Sequence, residues 1–267
     1  MGNQLSGDEV RALVLAEAFR AGVGHIGPAL SVADIIAALY RRVLRVDRPD
    51  DPERDRFVLS KGHAALALFA AIHLRGWITR EELATYCADG SRLGVHPEYG
   101  LPGVDLATGS LGQGLPVAVG MALAARLQRS SRRVVALLSD AECNEGSVWE
   151  AAMFAAHHRL DGLTVIVDLN GQQALAPTRD VLDLSPLAAR WAAFGWDAVE
   201  IDGHDEAAIA GAIAAPRREG RPRAVIARTV SGKGVSFMEG QVAWHYLPMT
   251  AAQFAQATSD LRVAAAS

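Results

Sequence analysis

The sequence is poor in cysteine, in aromatic residues and in long runs of apolar or like-charged residues. Only two of its 267 residues are cysteines, which predicts free thiols in a reducing compartment rather than a disulfide framework. No apolar run is long enough to span a bilayer and no signal peptide is visible, so we expect no membrane association and a cytoplasmic location. The formal net charge of −4, with both signs interspersed, argues against nucleic acid as a partner.

Hydrophobic residues are plentiful, at 50% of the chain, and their pattern alternates between strand and helix. Short apolar runs predict strands at residues 57–60, 134–138, 163–167, 198–201 and 224–227. Helices are predicted at residues 7–21, 31–44, 115–127, 148–157, 186–194 and 206–214, and from about 250. Ser31 and Thr79 each precede an acidic residue by three positions, which predicts that both cap helices. We therefore expect one α/β domain over residues 1–267, with a parallel central sheet and helices on both faces.

Two polar residues follow two of these predicted strands. Asp140 comes just after residues 134–138, and Asn170 follows residues 163–167. In open α/β sheets, ligands bind at the carboxyl ends of the strands. Oxygen ligands suit magnesium or calcium, and magnesium is usually shared with a phosphate. These residues predict a metal and diphosphate site, although Asp140 as a helix cap and Asn170 as a turn residue are the alternatives.

The surrounding residues resemble a known family. The spacing from Asp140 to Asn170 is similar to the thiamine-diphosphate motif, and Glu-Gly-Ser-Val-Trp-Glu-Ala at 145–151 resembles a block of transketolase. The resemblance runs from about Gly24 to His245, most of the chain. It implies the thiamine-diphosphate-binding fold of the diphosphate (PP) type, with thiamine diphosphate and Mg²⁺ (or Ca²⁺) as cofactors.

The resemblance also implies the roles of individual residues. The metal ligands would be Asp140, Asn170 and, through its carbonyl, Gln172. Four histidines match positions near the thiazolium or the sugar hydroxyls, where they would move protons: His25, His63, His96 and His245. Further cofactor contacts would come from Lys61, Gly109, Ser110, Leu111, Ala141, Glu142 and Lys233, besides His63 and His245. Glu145 would join a carboxylate network with the activating glutamate of a partner chain.

Each of these residues also has a simpler interpretation. A single histidine is more often structural, the two lysines could be solvent-exposed, and Glu145 could only favour a helix N-terminus. We expect the other histidines to be structural or solvent-facing: His73, His157, His158 and His204.

Three positions depart from the family pattern. Ser139 and Ala141 replace the glycines that usually flank the aspartate, and Tyr246 replaces a glycine after His245. Alanine fits at 141 if its φ is negative, but not comfortably if φ is positive. Tyr246 is expected to narrow the pocket.

A transketolase chain normally continues into domains that hold the aminopyrimidine ring and the activating glutamate. The resemblance therefore implies the N-terminal subunit of a split transketolase, a transferase that moves a two-carbon ketol unit from a ketose to an aldose. A separate C-terminal subunit would complete a heterotetramer acting on sugars or sugar phosphates. The alternatives are a deoxyxylulose-phosphate synthase-like or dehydrogenase-type thiamine subunit, or a non-catalytic binding subunit. A nucleotide-binding Rossmann protein is less favoured, because no Gly-x-Gly-x-x-Gly turn follows the first strand.

Overall fold

A computed structural model describes residues 5–216, 218 and 220–266, with the side chains of 264–266 left out. Within these residues, five parallel strands form one sheet in the order β1-β2-β3-β5-β4. The strands are β1 Arg56–Leu59, β2 Val134–Ser139, β3 Leu163–Leu169, β4 Asp197–Asp202 and β5 Arg223–Arg228. They lie where the short apolar runs predicted them, and the predicted parallel sheet is confirmed.

Helices connect the strands and flank the sheet. In chain order they are α1 Gly7–Ala21, α2 Ile26–Ser31, α3 Ala33–Ala38, α4 Ala65–Leu74, α5 Arg80–Leu83, α6 Gly114–Leu127, α7 Gly146–His157, α8 Thr178–Leu182, α9 Leu187–Ala193, α10 Glu206–Ala214 and α11 Ala251–Ala266. Short 3₁₀ turns lie at Gly62–Ala64, Ala141–Asn144 and Val242–His245, and a π-helical turn at Leu39–Val43 extends α3. None of the helices in the described ranges is both long and apolar enough to cross a membrane.

Two hydrophobic cores lie on opposite faces of the sheet, as the strand pattern of β2 illustrates. Val135 and Leu137 pack in the core formed with α1 to α4 and α10. Ala136 and Leu138 belong to the core formed with α6, α7 and α9. Strands of a parallel sheet covered on both faces are apolar on both sides, which is why β2 reads as a continuous apolar run. The predicted helices on both faces are thus confirmed.

The helix predicted from residue 31 to residue 44 begins earlier than expected. Ser31 is the last residue of α2, and Val32, which makes no side-chain cap, leads into α3. The Ser31 hydroxyl donates instead to the carbonyl of Pro28 and to the carboxylate of Asp168. The prediction that Ser31 caps a helix was wrong because a partner distant in sequence takes its side chain. The cap at Thr79 is confirmed, since its side chain accepts from the Glu82 amide.

The strand register brings the polar residues to one edge. β2 and β3 pair so that Ser139 lies opposite Asp168, and the Asp140 amide donates to the Asp168 carbonyl at 3.1 Å. Asp140 and Asn170 therefore leave neighbouring strands at the carboxyl edge of the sheet.

Candidate active site

Asp140 is buried at the end of β2, with 2% of its surface exposed. Its Oδ2 accepts from the Gly171 amide at 2.9 Å and from the Thr178 hydroxyl at 3.1 Å. Its Oδ1 accepts from the Ala141 amide at 2.9 Å. All three donors are neutral, and no ion pair to Asp140 occurs among the described residues, so this buried charge lacks a paired cation there. Burial, and then the nearby charge of Asp168, raise the pKa of Asp140 to about 6.

Asn170 stands beside Asp140 on the segment that follows β3. Its Nδ2 donates to Asp168 Oδ2 at 2.8 Å, and its Oδ1 accepts from the Gln172 amide at 2.9 Å. The segment then turns back, because the Thr178 amide donates to the Gly171 carbonyl at 2.9 Å. This turn is what carries the Thr178 hydroxyl to Asp140.

The donor set at this edge fits a hard divalent cation. Asp140, Asn170, Gly171, Gln172 and Thr178 line a cavity of about 450 Å³. The Gln172 Oε1 is buried there and has no hydrogen-bond partner among the described residues. Oxygen donors around an uncompensated carboxylate are the ligands that Mg²⁺ or Ca²⁺ take in proteins. In the part of the chain that the structure describes, no three histidine, cysteine, aspartate or glutamate side chains are arranged to hold a metal ion by themselves.

A glycine-rich loop adjoins this edge and leads into α6. The Gly112 amide donates to Glu142 Oε1 at 2.8 Å, and Ser147 Oγ donates to the Gly112 carbonyl at 2.8 Å. Glu142 is fully buried and also accepts from the Ser60 hydroxyl and from the Ser139 amide. Glu142 thus ties the loop to the ends of β1 and β2 from inside the protein. Within the loop, Ser110 is exposed, whereas Gly109 and Leu111 are half-buried.

The two lysines occupy different environments. Lys61 is fully buried, and its ammonium forms an ion pair with Asp168 and donates to the Pro28 carbonyl at 3.3 Å. Lys233 is partly exposed on the segment after β5, with its Nζ 3.9 Å from Glu239 Oε1. The charge of Lys61 is therefore taken up inside the protein, whereas that of Lys233 is open to solvent.

Four histidines from four separate segments meet in one cluster. The His25 ring centroid lies 5.6 Å from that of His63, 6.4 Å from that of His96 and 5.6 Å from that of His245. The His63 and His245 centroids are 5.1 Å apart. His25 has a left-handed backbone (φ 61°), rare for a non-glycine residue, and its amide donates to the His245 carbonyl at 3.2 Å. Its Nδ1 is buried without a partner in the described structure.

The cluster favours neutral imidazoles. Burial lowers the pKa of His25, and the neighbouring His96 adds to the effect. Burial, followed by the charge of Lys61, holds the pKa of His63 well below its usual range. Burial, then His25 and Lys61, lower the pKa of His245 to about 4. At neutral pH these rings can both accept and donate a proton.

We expect nitrogen-15 NMR of histidine-labelled protein to show neutral rings for His25, His63 and His245 at pH 7. His245 should gain its proton only as the pH falls towards about 4. The variants His25→Gln, His63→Gln and His245→Gln assign the three signals. Imidazolium shifts for these rings at pH 7 would contradict the neutral cluster.

The departures from the family pattern are accommodated locally. Ser139 Oγ accepts from the Glu142 amide at 3.1 Å and so begins the 3₁₀ turn after β2. Ala141 lies in that turn and is not among the residues with positive φ, so alanine fits there without strain. Tyr246 is 55% exposed next to His245, and a Cβ on Gly24 would lie 2.3 Å from its carbonyl oxygen.

The remaining histidines differ in their surroundings. His204 is inside the fold: its Nδ1 is 2.7 Å from Asp34 Oδ2, and its Nε2 accepts from the Val230 amide at 2.9 Å. The Nδ1 of His73 is 3.1 Å from the Ile78 carbonyl oxygen. His157 is exposed at the end of α7, and His158, the next residue, is half-buried.

Sequence reasoning missed several polar residues that hold this edge together. Asp168 was visible as the only acidic residue in β3, but its neighbours Ser31, Lys61 and Thr229 are distant in sequence. Thr178 likewise reaches Asp140 only because the chain turns back after Gln172. Nothing in the sequence around Thr178 signals that contact.

A parallel sheet with oxygen donors at its carboxyl edge, an adjoining glycine-rich loop and a cluster of four histidines is an α/β arrangement with its polar residues where such sheets bind ligands. The family described as "Transketolase, thiamine diphosphate binding domain" matches residues 3–265, and the chain belongs to this family.

Individual relatives agree with this assignment. The chain is 42% identical over 256 residues to the 6-deoxy-6-sulfo-D-fructose transketolase subunit SqwG of Clostridium sp., covering 94% of this chain and 93% of that protein. It is 38% identical over 261 residues to an apulose-4-phosphate transketolase subunit of Phocaeicola vulgatus, covering 97% and 93%. The crystal structure of transketolase from Campylobacter jejuni superposes with a TM-score of 0.88 at 30% identity, covering 98% of this chain and 43% of that one.

Coverage distinguishes two kinds of relative. Transketolase from Homo sapiens is 40% identical over 234 residues, but the match spans only 37% of its length. The chain therefore spans less than half of a full-length transketolase and nearly the whole of the proteins named as subunits. The chain is thus a thiamine-diphosphate-binding domain of the transketolases, which are transferases, and its extent is that of the relatives named as subunits.

Proposed function

We propose that this chain holds Mg²⁺ and the diphosphate of thiamine diphosphate in a two-chain transketolase of carbohydrate metabolism. The complete enzyme moves a two-carbon ketol unit from a ketose to an aldose. The observation that carries this proposal is that Asp140 and Asn170 line one cavity at the carboxyl edge of the sheet and are connected to the histidine cluster. Asn170 and Lys61 both donate to Asp168, and the charge of Lys61 acts on His63 and His245. Neither a nucleotide-binding turn nor a binding-only surface accounts for both features.

The proposed metal ligands are Asp140, Asn170 and the carbonyl of Gln172, with Mg²⁺ preferred and Ca²⁺ acceptable by donor chemistry. The amide of Ala141 and the loop residues Gly109, Ser110 and Leu111 would receive the diphosphate, since α6 begins just after that loop. His63 and His245, which are neighbours in the histidine cluster, would also contact the cofactor. Lys233 would bring a positive charge from the surface, while Lys61 and Glu142 act from the interior through Asp168 and Gly112.

When bound, thiamine diphosphate supplies the electron sink that lets a carbon–carbon bond break. The chain's own contribution is proton transfer and positioning. An imidazole of the cluster formed by His25, His63, His96 and His245 accepts the proton of a donor-sugar hydroxyl. The resulting imidazolium later returns that proton to the carbonyl oxygen of the acceptor, which becomes a hydroxyl.

A separate C-terminal subunit would complete the site with the aminopyrimidine pocket. The relatives named as subunits match this chain over 93% of their length, which supports a two-chain enzyme. Exposed apolar side chains lie on α6 and α7: Val117 is 40%, Met153 52% and Phe154 42% exposed. These residues suit an interface between chains. We propose a cytoplasmic heterotetramer with two copies of each chain.

The proposed substrates are sugars or sugar phosphates. The relatives carry the names of transketolases for 6-deoxy-6-sulfo-D-fructose and for apulose 4-phosphate, so substrate choice differs within this group. Tyr246 lies exposed beside His245, where its ring can narrow the approach of the donor. Tyr246 therefore favours an enzyme with a specialised substrate over one that acts on the general pentose phosphates.

The direct test is reconstitution with the candidate C-terminal subunit. Ketol transfer, followed by mass spectrometry of the shortened donor and lengthened acceptor, should appear only when both chains, Mg²⁺ and thiamine diphosphate are present. A panel of ketoses with and without phosphate identifies the donor. Failure of the mixture to transfer a two-carbon unit between any ketose and aldose in the panel would contradict the proposal.

Glu145 offers a test of the proposed assembly. It is exposed at the start of α7, where a charge that serves only this chain is worth little. Glu145→Ala should weaken the association of the two chains or ketol transfer by at least about tenfold while shifting the unfolding free energy by less than ~1 kcal/mol.

The matched control is Glu81→Ala, which also removes an exposed glutamate from the start of a helix. It should leave association and transfer unchanged. Sedimentation velocity measures the association, and denaturant unfolding measures the stability. Equal effects of the two variants would remove Glu145 from the interface.

A further inference from the structure

Asp168 is the one acidic residue of β3, and its side chain is fully buried beneath the proposed metal site. An ionised carboxylate in such a position is costly unless it is paired and hydrogen-bonded. Its position next to a second buried carboxylate, Asp140, makes this cost larger still. We therefore examine which groups the Asp168 carboxylate binds.

Four donors from four segments converge on Asp168. The Thr229 hydroxyl donates to Oδ1. Oδ2 accepts from the Lys61 ammonium, from Ser31 Oγ at 2.8 Å and from Asn170 Nδ2 at 2.8 Å. One carboxylate therefore joins the end of α2, the turn after β1, the segment after β3 and the segment after β5.

These four segments are also those that bring functional residues to the site. Lys61 is two residues from His63, and Thr229 begins the segment that carries Lys233. Because Asp168 is the common acceptor, displacement of any one segment would leave a buried donor unsatisfied. Asp168 therefore couples the position of the proposed metal ligand to the positions of its neighbours.

Asp168 also fixes the orientation of the Asn170 side-chain amide: its nitrogen faces Asp168 and its oxygen points away from Asp168. Asn170 Nδ2 has two acceptors on its side, Asp168 Oδ2 and Ser31 Oγ, the latter at 3.4 Å. A flipped amide would set its oxygen against the carboxylate at the same distance, which is repulsive. Oδ1 is thereby left for the Gln172 amide and for the cavity that Asp140 lines.

We infer that Asp168 is a positioning residue of the metal site, which holds the Asn170 amide with its oxygen available to the cation and gathers the surrounding segments. This inference rests on the proposed function. It assigns Asp168 no contact with substrate or cofactor.

Asn170→Asp tests the inference through the sign of its effect. Converting a neutral ligand into a carboxylate ordinarily tightens cation binding, because affinity rises with ligand charge. In Asn170→Asp, however, the new oxygen replaces Nδ2 at 2.8 Å from Asp168 Oδ2. We expect this variant to bind Mn²⁺ at least about tenfold more weakly than the wild type, measured with saturating thiamine diphosphate in the assembled complex.

The double variant D168N/N170D should recover much of that loss. The amide introduced at position 168 can donate to the carboxylate introduced at position 170, which removes the repulsion between two carboxylates. Asp168→Asn alone should weaken Mn²⁺ binding by about 10- to 100-fold. Mn²⁺ affinity is read by electron paramagnetic resonance of the free ion, so the readout does not depend on turnover.

Asp55→Asn is the matched control. Asp55 is also fully buried and accepts from several donors, Arg45 and Arg133 among them, but it precedes β1 at the opposite edge of the sheet. The Asp55→Asn protein should be less stable than the wild type but should bind Mn²⁺ with the same affinity. If Asp168→Asn does not fold, Ser31→Ala and Thr229→Val each remove one hydroxyl donor to Asp168 and should each weaken Mn²⁺ binding several-fold.

Tighter or unchanged Mn²⁺ binding by Asn170→Asp would overturn the inference, as would unchanged binding by Asp168→Asn. A wild-type complex that binds no Mn²⁺ with thiamine diphosphate would instead overturn the proposed function. The two failures are therefore distinguishable.

Discussion

Asp140→Asn is expected to abolish metal-dependent binding of thiamine diphosphate in the assembled enzyme and, at the same time, to stabilise the free chain. The first effect follows because Asp140 is the only carboxylate among the proposed ligands, so its loss removes the ligand charge. We expect a loss of affinity beyond about 100-fold, since even residues that only support a ligand cost 10- to 100-fold. Asp140→Ala should lose binding to the same extent.

The stabilising effect follows from the raised pKa of Asp140, about 6 in the folded chain. Below about pH 4 the carboxyl is protonated in both states and folding incurs no penalty. As the pH rises from about 4 to about 6, the unfolded chain releases its proton first, so stability falls. Above about pH 6 the penalty is complete at about 3 kcal/mol. Asparagine removes this penalty but loses one acceptor oxygen, for either the Ala141 or the Gly171 amide, so the net stabilisation is smaller than about 3 kcal/mol.

Asp55→Asn should have the opposite pair of effects. Burial alone would raise the pKa of Asp55, but hydrogen bonds from Arg45 and Arg133 outweigh it and lower the pKa. Asp55→Asn should therefore destabilise the chain at pH 7 and leave cofactor binding intact. Urea unfolding between pH 4 and pH 8, with calorimetry of cofactor binding, measures both. Unchanged cofactor affinity in Asp140→Asn would reject the assigned metal site.

Gly112→Ala is expected to have the second large effect, by disrupting the glycine-rich loop. Gly112 has φ +82°, and a Cβ there would lie 2.6 Å from both Glu145 Cβ and Ser147 Oγ. The left-handed backbone costs alanine about 1–2 kcal/mol, and the overlap adds about 1–3 kcal/mol. The shift would also break the bond from the Gly112 amide to Glu142. We expect destabilisation of about 3 kcal/mol and loss of cofactor binding.

Gly211→Ala separates this effect from a general intolerance of alanine. Gly211 lies in α10, and a Cβ there would meet nothing within 4 Å. Alanine should stabilise the helix by up to about 1 kcal/mol and leave the cofactor site unchanged. Thermal unfolding and cofactor titration of both variants check the contrast. A Gly112→Ala protein as stable and as competent for cofactor as the wild type would show that the loop is held in some other way.

The sequence was sufficient to predict what depends on local pattern. Short apolar runs identified the strands, because a sheet covered on both faces needs continuous apolar strands. Asp140 and Asn170 were predictable as neighbours, because parallel strands present their carboxyl ends at one edge. The grouping of the histidines came from resemblance, since nothing in their separate segments indicates that they meet.

What the sequence could not predict depends on contacts between distant segments. Ser31 looked like a helix cap because Asp34 follows at the right spacing, yet its hydroxyl bonds Asp168, 137 positions away. Lys61 looked like a positive charge for the diphosphate, and the fold buries it against the same carboxylate. A buried acid recruits donors according to tertiary packing, and no local spacing encodes that choice.

The measurement that tests the central claim most directly is calorimetric titration of thiamine diphosphate, with Mg²⁺ present, into this chain alone and into its complex with the C-terminal subunit. We predict tight binding only in the complex, because this chain supplies the metal and diphosphate half of the site and the partner supplies the aminopyrimidine half. Equally tight binding by the chain alone would contradict a shared site. No binding in either sample would contradict the cofactor role itself.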